Sequence, residues 1–252
     1  NLKVFESLVE TMRTIGSGLY PKLEKKLRPI NGINSSSQLA MNLAYSYFSE
    51  GELGNIKNEK IKKMFGEEGK GKVCIVTIGS NRAFCGDLNR KIVKRTNEII
   101  AKIKNTNEEY FLVSLGKKLL NSFPQINQNC QKNYEFPEKI LKNEDSSGLI
   151  SVIENISVID FKRVILIFTK LEKTVGNSNI KTVQTDIQLI PFKPEKEFKS
   201  DATLEEFEFK RKLLLEPDLE RVMLHTIQQY LFTNFLFALL NSYTCENLLR
   251  MN

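Results

Sequence analysis

Tryptophan is absent from these 252 residues, histidine occurs once, and the four cysteines, Cys74, Cys85, Cys130 and Cys245, form no CxxC pair. That set lacks the ligands of a structural zinc site, and scattered thiols are the pattern of a reduced intracellular compartment. A run of about eighteen apolar residues, which a membrane-spanning helix needs, is also missing. The nearest stretch, Tyr230 to Leu240, is too short and is interrupted by Thr233 and Asn234. With no secretory leader pattern either, a soluble or peripheral protein is expected. No charge of one sign dominates: 37 basic against 30 acidic residues leave +7, spread over a mixed surface rather than gathered in a polycationic arm. The densest basic group, Lys57, Lys60, Lys62, Lys63, Lys70 and Lys72, has no interleaved aromatic residues and little arginine. It therefore lacks the stacking platform of a nucleic-acid surface and reads as a solvated loop.

What the chain has instead is two apolar ends. Leu224, Ile227, Leu231, Phe235, Ala238 and Ser242 recur at steps of three and four, while Met223, Tyr230 and Phe237 repeat every seven residues on an adjoining face. This predicts a long helix from Glu216 to Met251 with a coiled-coil seam and a second buried face. The opening residues carry the same signal through Leu2, Phe5, Leu8 or Val9, Met12, Ile15 and Leu19, so the two ends are expected to pair antiparallel. Gly16, Ser17 and Gly18 inside the first helix point to a close approach of backbones. Pro21 is expected to kink or restart that helix, and the polar stretch Asn31 to Ser37 to form a joint before a further helix, Gln38 to Ser49.

Between the ends the pattern changes. Gly51 to Gly71 reads as charged loop. Val73 to Gly79 (VCIVTIG) is a buried strand, Asp87 to Lys104 an amphipathic helix, and Tyr110 to Leu115 (YFLVSL) a second buried strand, which together make a βαβ unit with parallel strands. A short helix from Lys117, a stretch broken by proline and asparagine through Phe136, and a helix from Ser147 to Val158 lead to a third strand, Arg163 to Thr169. The fourth, Ile180 to Ile190, alternates apolar and polar residues, so one of its faces meets water. Val175 to Asn179 makes the turn before it, and Pro191 and Pro194 end it.

Two fragments carry possible chemistry. Gly66-Glu67-Glu68-Gly69-Lys70-Gly71-Lys72-Val73 matches a phosphate-binding loop except at its last position, where Val73 replaces the Ser/Thr that would hold magnesium. It precedes a strand instead of following one, so no helix N-terminus is there to receive the anion. Gly79 to Asp87 lies at the C-terminal end of the first strand, where open α/β sheets bind ligands. There Arg82 could take a phosphate and Cys85, near a helix start, could have a lowered pKa. No general acid or base accompanies them, and the lone His225 reads as a packed or interface residue on the terminal helix.

The stretch Ser80-Asn81-Arg82-Ala83-Phe84-Cys85-Gly86-Asp87-Leu88-Asn89 also resembles the Ser-Asp-Arg-Gly-Leu-Cys-Gly-Gly-hydrophobic-Asn motif that follows the first strand of the gamma subunit of the F-type ATP synthase, the central rotor shaft. Ser80, Arg82, Cys85, Gly86 and Asn89 match, whereas Asn81, Ala83 and Asp87 depart from it. Glu216-Pro217, Glu246 and Arg250-Met251 resemble the family's C-terminal landmarks, with Cys245 in place of a serine. Met12, Arg13, Ile15, the small residues at 16 to 18 and Tyr20 resemble its first helix, with Thr14 in place of a methionine. The family's helix runs on past Arg-Met, so the parent chain is expected to be longer.

The resemblance implies an α/β fold: a Rossmann-like three-layer domain with a mostly parallel sheet, inserted between N- and C-terminal helices that form an antiparallel coiled coil. The division would be residues 1–50 (first shaft helix and connection), 51–215 (globular domain) and 216–252 (second shaft helix). It implies a non-catalytic subunit with no cofactor or metal, peripheral at the cytoplasmic face of the cell membrane. Its partners would be alpha and beta ATPase subunits, epsilon and membrane-ring subunits. Met12, Arg13, Glu246 and Arg250 would lie at the hexamer interface, while Ser80, Arg82, Cys85, Gly86 and Asn89 would be structural. Two alternatives stay open at this point: a gamma-like shaft of a specialised motor not used for proton-driven ATP synthesis, and a stand-alone phosphate- or nucleotide-binding α/β enzyme.

Overall fold

The structure, a computed structural model, describes residues 2–49, 58–66, 71–119, 130–134, 147–156, 161–173, 180–194 and 219–251. In chain order these form α1 (Leu2–Ser49), α2 (Glu59–Phe65), β1 (Val73–Ile78), α3 (Leu88–Asn105), β2 (Tyr110–Leu115), β3 (Cys130–Tyr134), α4 (Ser147–Ile156), β4 (Arg163–Lys173), β5 (Ile180–Ile190) and α5 (Leu219–Met251). The strands make one five-stranded sheet in the order β3-β2-β1-β4-β5. β1 pairs parallel with β2 and β4, β2 pairs parallel with β3, and β5 joins β4 antiparallel. The protein is thus an α/β domain whose helices flank a small mixed sheet.

Alternation along the central strands builds two apolar clusters, one on each face. Cys74, Val76 and Ile78 of β1 and Leu166 and Phe168 of β4 join residues of α1, α2, α4 and α5. Val73 and Ile75, with Leu112 and Ile167, meet Leu88, Ile92, Ile99, Ile100 and Ile103 of α3. The period of two in the strands and of three to four in α3 is what lets both faces close on apolar side chains, with Thr77 and Thr96 buried among them through bonds to the Val113 and Ile92 carbonyls.

α1 is one helix of 48 residues with Pro21 and Pro29 inside it, so the chain does not restart at Pro21 and has no joint at Asn31 to Ser37. Each proline removes one helical hydrogen bond at a cost of about 3 kcal/mol. Leu23, Leu27 and Met41, buried in the same cluster as Tyr230, Leu231 and Phe235 of α5, offset it. The hydroxyl-rich stretch remains helical, with Ser35 Oγ donating to the Asn31 carbonyl one turn back at 3.0 Å. The close approach expected at the small residues is not found at Gly18, where an added Cβ would meet nothing within 4 Å among the described residues.

Two elements were hidden in polar sequence. α2 lies within the expected loop, opened by Asn58, whose Oδ1 accepts from Lys60 N, and anchored by buried Ile61, Met64 and Phe65. β3 occupies part of the stretch expected to be broken. The turn at 175–179 lies outside the described residues. After β5, the Phe192 ring packs edge-on against Tyr230 at 5.4 Å between centroids, and Phe192 N donates to Met64 O at 2.7 Å. These contacts tie the sheet's edge to α2 and α5. At the same end of the sheet, the Glu108 carboxylate receives Lys162 Nζ at 2.5 Å and Arg163 at 2.6 Å, which holds the starts of β2 and β4 together.

α5 is buried on a stripe over its first half and on every side from Ala238 through Asn247. Along this part it lies against β4: Phe168 meets Phe237 edge-on at 5.7 Å, and Thr169 N donates to Ser242 Oγ at 3.3 Å. The all-round apolar pattern therefore reflects a helix wedged between α1 and the sheet. Its other buried amides and hydroxyls turn back on their own helix. Asn234, Asn241, Thr244 and Asn247 donate to the carbonyls of Tyr230, Phe237, Leu240 and Tyr243.

Candidate functional site

The C-terminal ends of β1 and β2 come so close that only glycine fits between them. A Cβ on Gly116, whose φ is +126°, would lie 2.9 Å from the Gly79 backbone, and one on Gly79 would lie 2.7 Å from Leu119 Cβ. This pinch launches the Ser80–Asn89 segment out of the sheet. Ser80, fully buried, is held by both ends of the Asn89 amide: Asn89 Oδ1 accepts from Ser80 N at 3.0 Å and Asn89 Nδ2 donates to Ser80 Oγ at 2.8 Å. Ser80 Oγ donates onward to the Arg82 carbonyl at 3.0 Å, and the Asn81 side chain accepts from Lys117 N at 3.1 Å. Gly86 takes φ +55°, and Phe84 is left-handed too at +63°, which leaves the Phe84 ring 62% exposed. The segment is a closed loop stitched to itself and to the turn after β2.

Its outer side is stitched to α5. Asn81 N donates to Glu246 Oε2 at 3.1 Å, and Arg82 donates to the Tyr243 hydroxyl at 3.2 Å with its guanidinium 5.5 Å from the ring centroid. Tyr243 and Glu246 stand three residues apart, hence on one face of the helix. Cys85 Sγ donates to the Arg82 carbonyl at 3.2 Å. Burial first, then the Glu246 carboxylate, pushes the Cys85 thiol up to about 11. That overturns the lowered pKa expected from its place near a helix start, because desolvation outweighs the nearby arginines. With an inert thiol and an arginine engaged by a tyrosine, the arrangement is a mechanical clamp between sheet and helix.

The whole chain, residues 1–252, matches the ATP synthase family. The chain belongs to that family. It is similar to the ATP synthase gamma chain of Wolbachia sp. subsp. Brugia malayi, 23% identical over 261 residues that cover 100% of this chain and 81% of the relative. The gamma chain of Clostridium kluyveri is 21% identical over 254 residues, covering 99% of this chain and 80% of the relative. The fold is similar to that of a chain from the central stalk and c-ring of Tetrahymena thermophila mitochondrial ATP synthase, with TM-score 0.58 and 20% identity over 97% of this chain and 96% of that one. The protein is accordingly a gamma-chain homologue, a non-catalytic central-stalk subunit of the F-type rotary ATPase family.

In this gamma-chain homologue the expected site residues fall into two groups. Ser80, Arg82, Cys85, Gly86, Asn89 and Glu246 meet in the clamp, and Arg250 is near enough for its charge to act on the Cys85 thiol. Glu246, which the resemblance sets at a partner surface, is 1% exposed here and holds the Asn81 amide. Met12 and Arg13 belong to the first part of α1, and their side chains fall outside the described residues. His225 is exposed on α5 beside Gln229, 2.9 Å between their nitrogens. Of the phosphate-loop look-alike, residues 67–70 lie outside the described residues; Gly66 closes α2 by donating to Lys62 O at 2.7 Å. Sequence reasoning missed Tyr243 and Gly116, and it placed Gly79 and Asn81 in a candidate fragment without giving either its part in the pinch or the clamp. A glycine directly after each of two adjacent parallel strands was the available signal for the pinch.

Among the described residues no helix is long and apolar enough to cross a membrane.

Proposed function

We propose that this chain turns inside a ring of alternating alpha and beta ATPase subunits, with α1 and α5 as an antiparallel coiled coil and residues 51–215 as a Rossmann-like three-layer domain outside the ring. The domain would meet epsilon and the membrane ring, and the shaft, residues 1–50 and 216–252, would bias each beta subunit among nucleotide states by contacting each differently. Met12, Arg13 and Arg250 would face the hexamer, the two arginines toward carboxylates, which a partly desolvated contact strengthens. Glu246 would act one step removed, as the residue that joins shaft to domain. The observation that supports this division is the clamp: torque applied to the sheet reaches α5 through Asn81–Glu246, Arg82–Tyr243 and Thr169–Ser242.

The test is purification of the tagged full-length protein from its own cells, with ATPase assay of what accompanies it. Two large nucleotide-binding subunits should co-purify, and Arg13→Glu or Arg250→Gln should lower the ATPase rate of the complex several-fold without shifting the melting of the isolated chain. The accompanying small subunits separate a synthase from a specialised motor. A monomer with no ATPase partner refutes the proposal.

A further inference from the structure

The sheet's open edge has no use in the shaft mechanism. β5 is the last strand in the order and, among the described residues, pairs on one side only. Its 11 residues extend about 35 Å and turn a row of backbone N–H and C=O groups outward, a template for another extended chain.

Beside this edge lies a cleft of about 560 Å³ lined by Asn34, Gln38 and Asn42 of α1, Gln188 of β5, Lys193, and Asn234 of α5, among others. Two of its amides already have their NH2 groups engaged: Asn234 Nδ2 donates to Tyr230 O at 2.8 Å and Gln188 Nε2 to Pro191 O at 3.0 Å. Asn42 is 3% exposed, yet its Oδ1 has no hydrogen-bond partner among the described residues, and neither has Asn34 Oδ1. Buried acceptors are almost always satisfied, so two of them in one cleft point to a donor that arrives from outside.

Charge narrows the choice. On β5 Asp186 is bound by Arg95 at 2.5 Å, and on the neighbouring β4 Glu172 is bound by Lys170 at 3.0 Å. Lys181 and Lys193 stand exposed near the two ends of the strand. The edge therefore presents positive charge.

We propose that β5 and the adjoining cleft accept an extended acidic segment of a partner protein, which adds a sixth strand to the sheet. Its backbone pairs with β5, its N–H or O–H donors reach Asn42 and Asn34, and its carboxylates meet Lys181 and Lys193. Backbone pairing supplies adhesion that any strand would gain, while the cleft and the two lysines fix register and choose the partner. The inference adds a contact to the shaft reading and assumes that the chain works inside a complex.

Amide hydrogen exchange of residues 180–190, compared between the isolated chain and the complex purified from native cells, tests it. Exchange should slow at least tenfold in the complex, and the slowing should disappear in the Lys181→Glu/Lys193→Glu variant, whose changes are confined to exposed side chains. Equal exchange in both states overturns the inference and leaves the shaft reading standing, as does protection that survives the charge reversal. Protection already complete in the isolated chain, or rising with its concentration as for a second copy, overturns it too. Failure to recover any complex overturns both.

Discussion

Replacing Asn89 with alanine removes both hydrogen bonds that close the Ser80–Asn89 loop. Each neutral buried bond contributes about 0.5–1.5 kcal/mol, and leaving the Ser80 N–H buried without an acceptor adds about 1–3 kcal/mol. Ser80 is 0% exposed, so water does not relieve the orphaned donor. The expected loss is about 2–6 kcal/mol, which for a chain of this size lowers Tm by roughly 4–24 °C. With no tryptophan to report, far-UV ellipticity is the signal to follow. Asn89→Asp keeps an acceptor for Ser80 N and loses only the donor, so about half the effect should remain. Ser80→Ala removes the other end of the Nδ2–Oγ bond, and the double-mutant cycle between positions 80 and 89 should show coupling of about 1 kcal/mol. Melting of Asn89→Ala within about 1 °C of the parent, or zero coupling, would refute the account of the loop as a closed hydrogen-bonded unit.

Glu246→Ala leaves the Asn81 amide without its carboxylate and should cost about 2–3 kcal/mol, whereas Glu246→Gln, which retains an acceptor, should cost less than half of that; equal losses would show that the bond to Asn81 is not what matters. Gly116→Ala forces a side chain onto a +126° backbone against Gly79 and should lose at least about 3 kcal/mol by chemical denaturation, with a neutral result ruling out the pinch. Burial pushes the Cys74 and Cys85 thiols up to about 12 and about 11. On the order of a thousandfold less thiolate for Cys74 and a hundredfold less for Cys85 than in a free cysteine follows, so iodoacetamide at pH 8 should label neither until denaturant is added, as read by mass spectrometry of the peptides. The hydrogen bond from Lys162, then that from Thr106, holds Glu108 below the usual carboxylate range. Its folded pKa is depressed, so the stabilisation is full above the unfolded value of about 4.3 and is lost as pH falls through the folded pKa. The Tm difference between the parent and Glu108→Gln should be largest near neutrality and shrink below about pH 4; a constant difference would disprove the ion-pair origin.

The readable parts of this fold are those where local pattern and burial agree. β1, β2 and α3 announce themselves because both faces of the strands and one face of the helix are buried, so periodicity and apolarity coincide. β3 did not, since CQKNY offers little apolar signal and is placed by pairing with β2. α2 was obscured because three apolar residues suffice to anchor seven, leaving lysines to dominate the composition. α1 runs through two prolines because packing on α5 overrides a local preference that sequence reasoning can only read as a break. In the clamp, the matching residues of the loop were legible, but their partners were not: Asn81 and Glu246 lie 165 positions apart and Arg82 and Tyr243 161 apart. No periodicity links positions so distant. Likewise the helix start that promised a reactive Cys85 could be read locally, while the enclosure that disarms it comes from distant parts of the chain that pack around it, with the Glu246 carboxylate of α5 adding to the effect.

The inward-turned amides and hydroxyls of α5 have one more consequence. Because Asn234, Asn241, Thr244 and Asn247 donate to carbonyls of their own helix, those donors make no hydrogen-bonded notch toward α1 among the described residues, and apolar surfaces tolerate slippage by a turn far better than paired polar groups do. The axial setting of the long helix is then fixed from the side, where Tyr243 and Glu246 engage the loop and Ser242 engages the sheet. The smooth bearing surface and the key that stops it from sliding are carried on different faces of the same helix, so either can change in evolution without disturbing the other.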